Sequence, residues 1–156
     1  TLAHKYNISV EGEIGEVGYF KGHNSKGTDV NEAKEYSSKS KVDAMAISVG
    51  NTHLQTSKIA KINYQKILDI QKITRLPLVL HGSSGISYIM RNKIARSTKV
   101  AKFNIGTELR MIACKSLRKS YNNNIKNFDK ISIIKPSIKA LKKETIKVIK
   151  NIGPKK

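Results

Sequence analysis

The feature that most constrains this chain is a set of four short apolar runs, each bounded by a helical pattern. They are "ISVEGEIG" (8–15), "DAMAISVG" (43–50), "LPLVLHG" (76–82) and "VAKFNIG" (100–106). Each has the length of a strand. Near-continuous apolar strands alternating with helices are the mark of a parallel sheet, because the crossover helices cover what an antiparallel sheet would leave wet. The chain therefore reads as α/β.

The intervening segments predict helices over Asn31–Lys39, Tyr64–Thr74, Ser87–Ser97, Thr107–Ser120 and Ser137–Asn151. Ile67, Leu68, Ile70 and Ile73 form a helical apolar face in the second, and Ile138, Leu141, Ile146 and Ile149 a stripe in the last. Ser87 is placed to cap the third helix. The Asn-rich "SYNNNIKNFDK" (120–130) reads as a loop or hinge. A length of 156 residues matches one domain, and 38% hydrophobic content is compatible with a folded core.

Lys and Arg number 30 against 11 Asp and Glu, a formal charge of +19. Such a field attracts phosphorylated ligands, anionic lipid or nucleic acid. The lysines are spread along the chain without an Arg-rich arm or an aromatic-interleaved patch, so compositional drift outweighs a nucleic-acid role. Cys114 is the only cysteine, which excludes an intrachain disulfide and a thiolate zinc cluster. No apolar run reaches the roughly 20 residues of a membrane span, and no signal-peptide pattern precedes the first strand. A soluble cytoplasmic protein is the expectation. Since Thr1 leads almost directly into a strand pattern, the sequence also reads as beginning inside a longer gene product.

Polar chemistry gathers at the C-terminal ends of the four strand candidates: Glu11 and Glu13, then Asn51 and His53, then His81, then Asn104 and Thr107. Parallel α/β folds bind ligands beyond the carboxyl ends of their strands. "HGSSG" and "NIGTE" both lead into helices, so their small residues let backbone amides approach an anion, and phosphate is the natural ligand. His53 and His81, on successive strand ends, either converge on a divalent cation with Glu13 as an oxygen ligand or are hydrogen-bonded, half-buried side chains. Glu11 and Glu13 share one strand face, as metal ligands or as salt-bridged interior residues. His4 and His23 lack partner spacing and read as surface residues.

Taken in order, "VEGEIG", "AISVGNTH", "LPLVLHGSSG" and "KFNIGTEL" resemble the C-terminal half of the class II, metal-dependent ketose-bisphosphate aldolases. The closest likeness is to the tagatose-bisphosphate and class IIB fructose-bisphosphate group, whose blocks read like "VEAELG", "AIGTAHG", "LVLHGAS" and "INVATEL". The resemblance implies that residues 1–156 are a single partial domain, roughly strands five to eight of a (β/α)8 TIM barrel with their helices. It implies a Zn2+-dependent lyase of carbohydrate metabolism and glycolysis. Such an enzyme cleaves a ketose 1,6-bisphosphate, fructose or tagatose, to dihydroxyacetone phosphate and glyceraldehyde 3-phosphate.

By the same resemblance, His53 and His81 match two zinc-binding histidines and Glu13 a strand-end glutamate that can approach the metal. Gly82, Ser83 and Ser84 match one phosphate-contacting loop, and Asn104, Ile105, Gly106 and Thr107 the other. Leu54 stands at a phosphate-facing position where the family has glycine, adding a Cβ that opposes a positive φ. The acid/base Asp and the first metal histidine belong to the half of the barrel before Thr1. The family's acid-rich loop after the first block is replaced by "EVGYFKGHNSKGTD", with no carboxylate between Tyr19 and Gly27. Four strands leave two open edges, to be covered by the other half or by homo-oligomerisation. The competing readings are a catalytically inactive remnant of the fold and, behind it, a basic nucleic-acid-binding module.

Overall fold

The computed structural model describes residues 1–19, 22 and 25–154; His23 lies outside them. The chain divides into two compact units, Thr1–Ile105 and Gly106–Lys156. The first runs β1 (Glu11–Ile14), α1 (Val30–Lys39), β2 (Ala44–Ile47), α2 (Tyr64–Ile73), β3 (Leu78–Leu80), α3 (Tyr88–Ser97) and β4 (Val100–Phe103), after a short 3-10 helix at Ala3–Tyr6.

The four strands form one sheet in the order β1-β2-β3-β4, every pair parallel. Each βα crossover thus moves one strand over in the same direction. A doubly wound sheet would reverse at a switch point; sequential order is the winding of a βα barrel.

Strand alternation sorts the residues into two faces. Gly12, Met45 and Leu78 are in register, as are Ile14 with Ile47 and Leu80 with Phe103. This face meets the helices: Met45, Ile47, Leu78 and Leu80 pack with Ala33 of α1, Ile67 and Ile70 of α2 and Ile94 of α3 in one buried cluster. Each large side chain so buried contributes about 1.5–3 kcal/mol, which anchors the helices to the sheet. The opposite face carries Glu11 opposite Ala44, and Glu13, Ala46, Val79 and Lys102 in a second row, with a register shift at Leu78/Val79.

Side chains close the helix starts as local rules require. Asp29 accepts from the amides of Asn31 and Glu32 at 2.8 and 3.1 Å, and Ser87 from that of Met90 at 3.2 Å, the cap expected there. The second unit is the helix pair α4 (Thr107–Asn123) and α5 (Lys130–Ile152), packed against each other. Both outgrow their expected bounds and leave only Asn124–Asp129 of the Asn-rich connector outside helix. The Asp129 carboxylate caps the amides of Ile131 and Ser132 and starts α5 before Pro136. Pro136 forgoes one N–H inside the helix, which begins at Lys130 rather than at the expected Ser137. Among the described residues, no helix is long and apolar enough to cross a membrane.

Candidate metal and phosphate site

The site is assembled on the polar face of the sheet and the loops beyond it. His81 follows β3, whose residues are all buried, so its backbone is held by the core while its side chain is 17% exposed. Its Nε2 lies 2.9 Å from a Glu11 oxygen and its Nδ1 lies 3.3 Å from a Glu13 oxygen. Lys102 of β4 donates to the other Glu11 oxygen at 2.7 Å. Burial pulls the Glu11 carboxyl upward, but the hydrogen bonds from Lys102 and His81 outweigh it and hold the group below its ordinary range.

Glu11 opens β1 rather than standing at its carboxyl end as the sequence pattern suggested, and it is salt-bridged, one of the two roles open to it. Lys102 was not distinguishable in the sequence, being one of 30 Lys and Arg and 91 residues from its carboxylate partner.

His53 joins the site through the loop after β2. Its amide bonds the Gly18 carbonyl at 2.8 Å, its ring sits 5.1 Å from that of Tyr19, and its ring centre lies 6.2 Å from that of His81. Asn51, almost fully buried, accepts from the Val49 amide at 2.7 Å and donates to the His81 carbonyl at 2.9 Å, tying the ends of β2 and β3 together.

Gly82 makes the close approach of the two loops possible. Its φ is +59°, and a Cβ there would lie 2.6 Å from the Thr52 carbonyl carbon and strike the attached oxygen. Leu54 also takes a left-handed conformation, φ +54°, so the Cβ expected to oppose positive φ does not prevent it. The cost is about 1–2 kcal/mol of strain. Because the Leu54 side chain is 55% exposed, Leu54→Gly forfeits little burial, and relief of strain exceeds glycine's entropic cost of about 0.5–1 kcal/mol. The expected result is a rise of about 0.5–1 kcal/mol in unfolding free energy by urea titration; a lower midpoint would contradict it.

In the "HGSSG" loop, Ser83 is fully buried. Its hydroxyl donates to the Leu80 carbonyl at 2.8 Å and its amide to the Asn104 carbonyl at 3.0 Å. Ser83 as placed therefore holds the loop, because the groups expected to meet phosphate are committed internally. Ser84 is buried and its carbonyl accepts from Lys58 Nζ at 2.8 Å, a cation the sequence reading passed over. Asn104, whose amide bonds the Leu80 carbonyl at 2.9 Å, and Ile105 end the first unit. Gly106 and Thr107 open the second at the start of α4, where the Gly106 carbonyl accepts from the Arg110 amide and Thr107 Oγ1 from the Arg110 guanidinium. His4 is exposed, as expected of a surface residue, and bonds Asp43 at 2.9 Å across 39 residues, a distance that spacing rules do not reach.

The family model for class II fructose-bisphosphate aldolase matches residues 1–156, end to end. The chain belongs to the class II fructose-bisphosphate aldolase family. The 6-phospho-5-dehydro-2-deoxy-D-gluconate aldolase of Bacillus licheniformis is 31% identical over 146 residues, which cover 90% of this chain and 49% of that enzyme. The crystal structure of the YdjI aldolase from Escherichia coli K12 matches with a TM-score of 0.75 and 30% identity, over 97% of this chain and 51% of that one. The fructose-bisphosphate aldolase of Campylobacter jejuni shares the fold, with a TM-score of 0.72 at 19% identity, covering 96% and 52%. The chain thus spans about half the length of the relatives it matches, and its sequentially wound sheet corresponds to half of the aldolases' TIM barrel.

Class II aldolases imply a zinc ion, and the donors can be tested for fit. Two ligands about 2.0–2.2 Å from a tetrahedral zinc stand about 3.3–3.6 Å apart, and His81 Nδ1 and the nearer Glu13 oxygen are 3.3 Å apart. His53 stands farther off: among the described residues, no group of three or more His, Cys, Asp or Glu side chains closes around one ion position. His81 and Glu13 therefore stand at the separation that two zinc ligands require, while His53, its ring centre 6.2 Å from that of His81, does not complete a set of three.

Proposed function

We propose that this chain supplies one half of the active site of a zinc-dependent aldolase that reversibly cleaves a phosphorylated ketose. The observation that carries the proposal is the 3.3 Å approach of His81 Nδ1 to Glu13, with His53 adjacent, at the loop end of a sequentially wound parallel sheet. His81, His53 and Glu13 would hold the zinc. Lewis-acid stabilisation of the negative charge left on the ketone-derived fragment is the chemistry that a zinc ion supplies when bound.

The chain's own residues bind and orient. Gly82 and Ser84, stiffened from below by Ser83 and clamped by Lys58, form one side of the phosphate cradle. Asn104 and Ile105 form the other, and the backbone at Leu54 adds to it. Cationic Lys102 beside the site and the chain's charge of +19 favour anionic substrates. The proton of the cleaved hydroxyl needs a base, which the second half of the barrel provides, from the same chain or a partner copy that also covers the outer strands β1 and β4. The cytoplasm is the compartment that suits this chemistry.

Fructose or tagatose 1,6-bisphosphate, yielding dihydroxyacetone phosphate and glyceraldehyde 3-phosphate, is the substrate class proposed first. The Bacillus licheniformis relative brings in a second, 6-phospho-5-dehydro-2-deoxy-D-gluconate. The test is an aldol-cleavage assay of the full reading-frame product on all three substrates, with and without a chelator. Release of a triose phosphate that the chelator abolishes and zinc restores is the expected result. Absence of cleavage on every substrate with zinc bound would favour the inactive remnant.

A further inference from the structure

We infer that α5 docks the protein on an anionic lipid surface, lying in the headgroup plane with its outer isoleucines inserted and its lysines against the lipid charges. The inference is independent of the zinc reading. Each of β1 to β4 is followed by a helix, α1 to α4, so α5 is a fifth helix outside the alternation that builds a barrel. It packs on α4 and buries Ser137 and Val148 toward that partner. A second line along the helix, at spacings of three and four, reads Ile131, Lys135, Ile138, Lys142, Ile146 and Ile149, every one exposed. Ile131 is 76% exposed, and Ile138 and Ile149 are 59% exposed each. The result is an apolar stripe about 27 Å long on the surface, and contiguous exposed apolar surface marks a site of interaction.

Charge selects the occupant. α5 carries seven lysines against one carboxylate in its 23 residues. Lys139, Lys143, Lys147 and Lys150 form an exposed row beside the isoleucines. The carboxylate, Glu144, is tucked in, its side chain 12% exposed, and stands 3.1 Å from Lys147. Two copies of this face would bring like charges together. A nucleic acid would use the lysines for its phosphates and leave the isoleucines wet. A bilayer surface answers both features, because lysine stems lie along the apolar boundary while their ammonium groups reach the anionic headgroups. With lysine recurring along its length, α5 lies on such a surface rather than spanning it.

The test is flotation of the full reading-frame product with vesicles of phosphatidylcholine alone or mixed with phosphatidylserine. Wild type is expected to float with the mixed vesicles only, and less as salt is raised. Each lysine near an anionic surface strengthens binding about fivefold. The combined Lys139→Gln, Lys143→Gln and Lys150→Gln variant should therefore bind about 100-fold more weakly, while Arg at the same three positions should keep the affinity. The combined Ile131→Ser, Ile138→Ser and Ile149→Ser variant should lose about tenfold or more. All six positions are exposed, so α4–α5 packing does not depend on them, and circular dichroism checks that each variant keeps its helices. Wild type that fails to float with the mixed vesicles would overturn the inference. Binding that depends on the lysines but not on the isoleucines would overturn it in favour of a bare polyanion site. Self-association in ultracentrifugation that the serine variant abolishes, without flotation, would assign the stripe to a second copy instead.

Discussion

His81→Ala is expected to abolish zinc retention and to lower aldol cleavage by the assembled enzyme by about 10³-fold or more, since Lewis-acid stabilisation is worth several kcal/mol and each 1.36 kcal/mol is tenfold in rate. The ring contacts both carboxylates of the polar face, at 2.9 Å from Glu11 and 3.3 Å from Glu13. Without it, Glu13 loses its partner nitrogen, while Glu11 retains Lys102 at 2.7 Å. The buried strand that carries His81 does not depend on the imidazole, because Leu78, Val79 and Leu80 keep their packing. The variant should therefore fold, and loss of zinc should not be confused with loss of structure. Metal content after dialysis and steady-state cleavage check the expectation; retained zinc stoichiometry and rate would remove His81 from the site.

Gly82→Val should have the largest effect on stability, a loss of about 3 kcal/mol or more. Two costs combine. At φ +59° a β-branched residue is held in the left-handed region. Its Cβ would also lie 2.6 Å from the Thr52 carbonyl carbon and 3.1 Å from the His53 amide nitrogen, backbone atoms that cannot swing aside. Relief requires the loop after β2 to retreat, which separates His53 from His81 and breaks the Asn51 tie between the two strand ends. Zinc affinity should thus fall with stability. Gly82→Ala, which carries the same first atom without branching, should show the same direction with a smaller loss. A urea midpoint unchanged in Gly82→Val would mean that the loops are not packed as described.

Much of this was legible along the chain. The four strands fall inside the expected runs, because β2 and β3 are apolar through their length and β1 and β4 keep Ile14, Val100 and Phe103 against the core. The helices over Val30–Lys39, Tyr64–Ile73 and Tyr88–Ser97 agree with expectation to within a residue, since amphipathic spacing and the Ser87 cap are local signals. His53 and His81 could be picked out because they interrupt the pattern where strands end. The start of α5 could not: Pro136 is the louder local signal, whereas the cap that decides the matter is a pair of hydrogen bonds to Asp129.

The residues that tune the site belong to a different category. Glu11 binds His81 across 70 residues and Lys102 across 91, and no periodicity reports a contact of that range. Ser83 was matched to a phosphate-contacting loop by resemblance; in three dimensions its hydroxyl bonds the Leu80 carbonyl and its amide the Asn104 carbonyl. Leu54 looked incompatible with a left-handed backbone, yet its φ is +54°, at a strain small beside the energy of the packed core. By itself the sequence determined the α/β class, the strand positions, the helices of the sheet unit and the family, because hydrophobic periodicity, capping and ordered motifs are written locally. Only the tertiary structure decided which face carries the charges, that Glu11 and Lys102 brace His81, and that Ser83 is a structural tie, because those are outcomes of register and through-space distance between strands far apart in the chain.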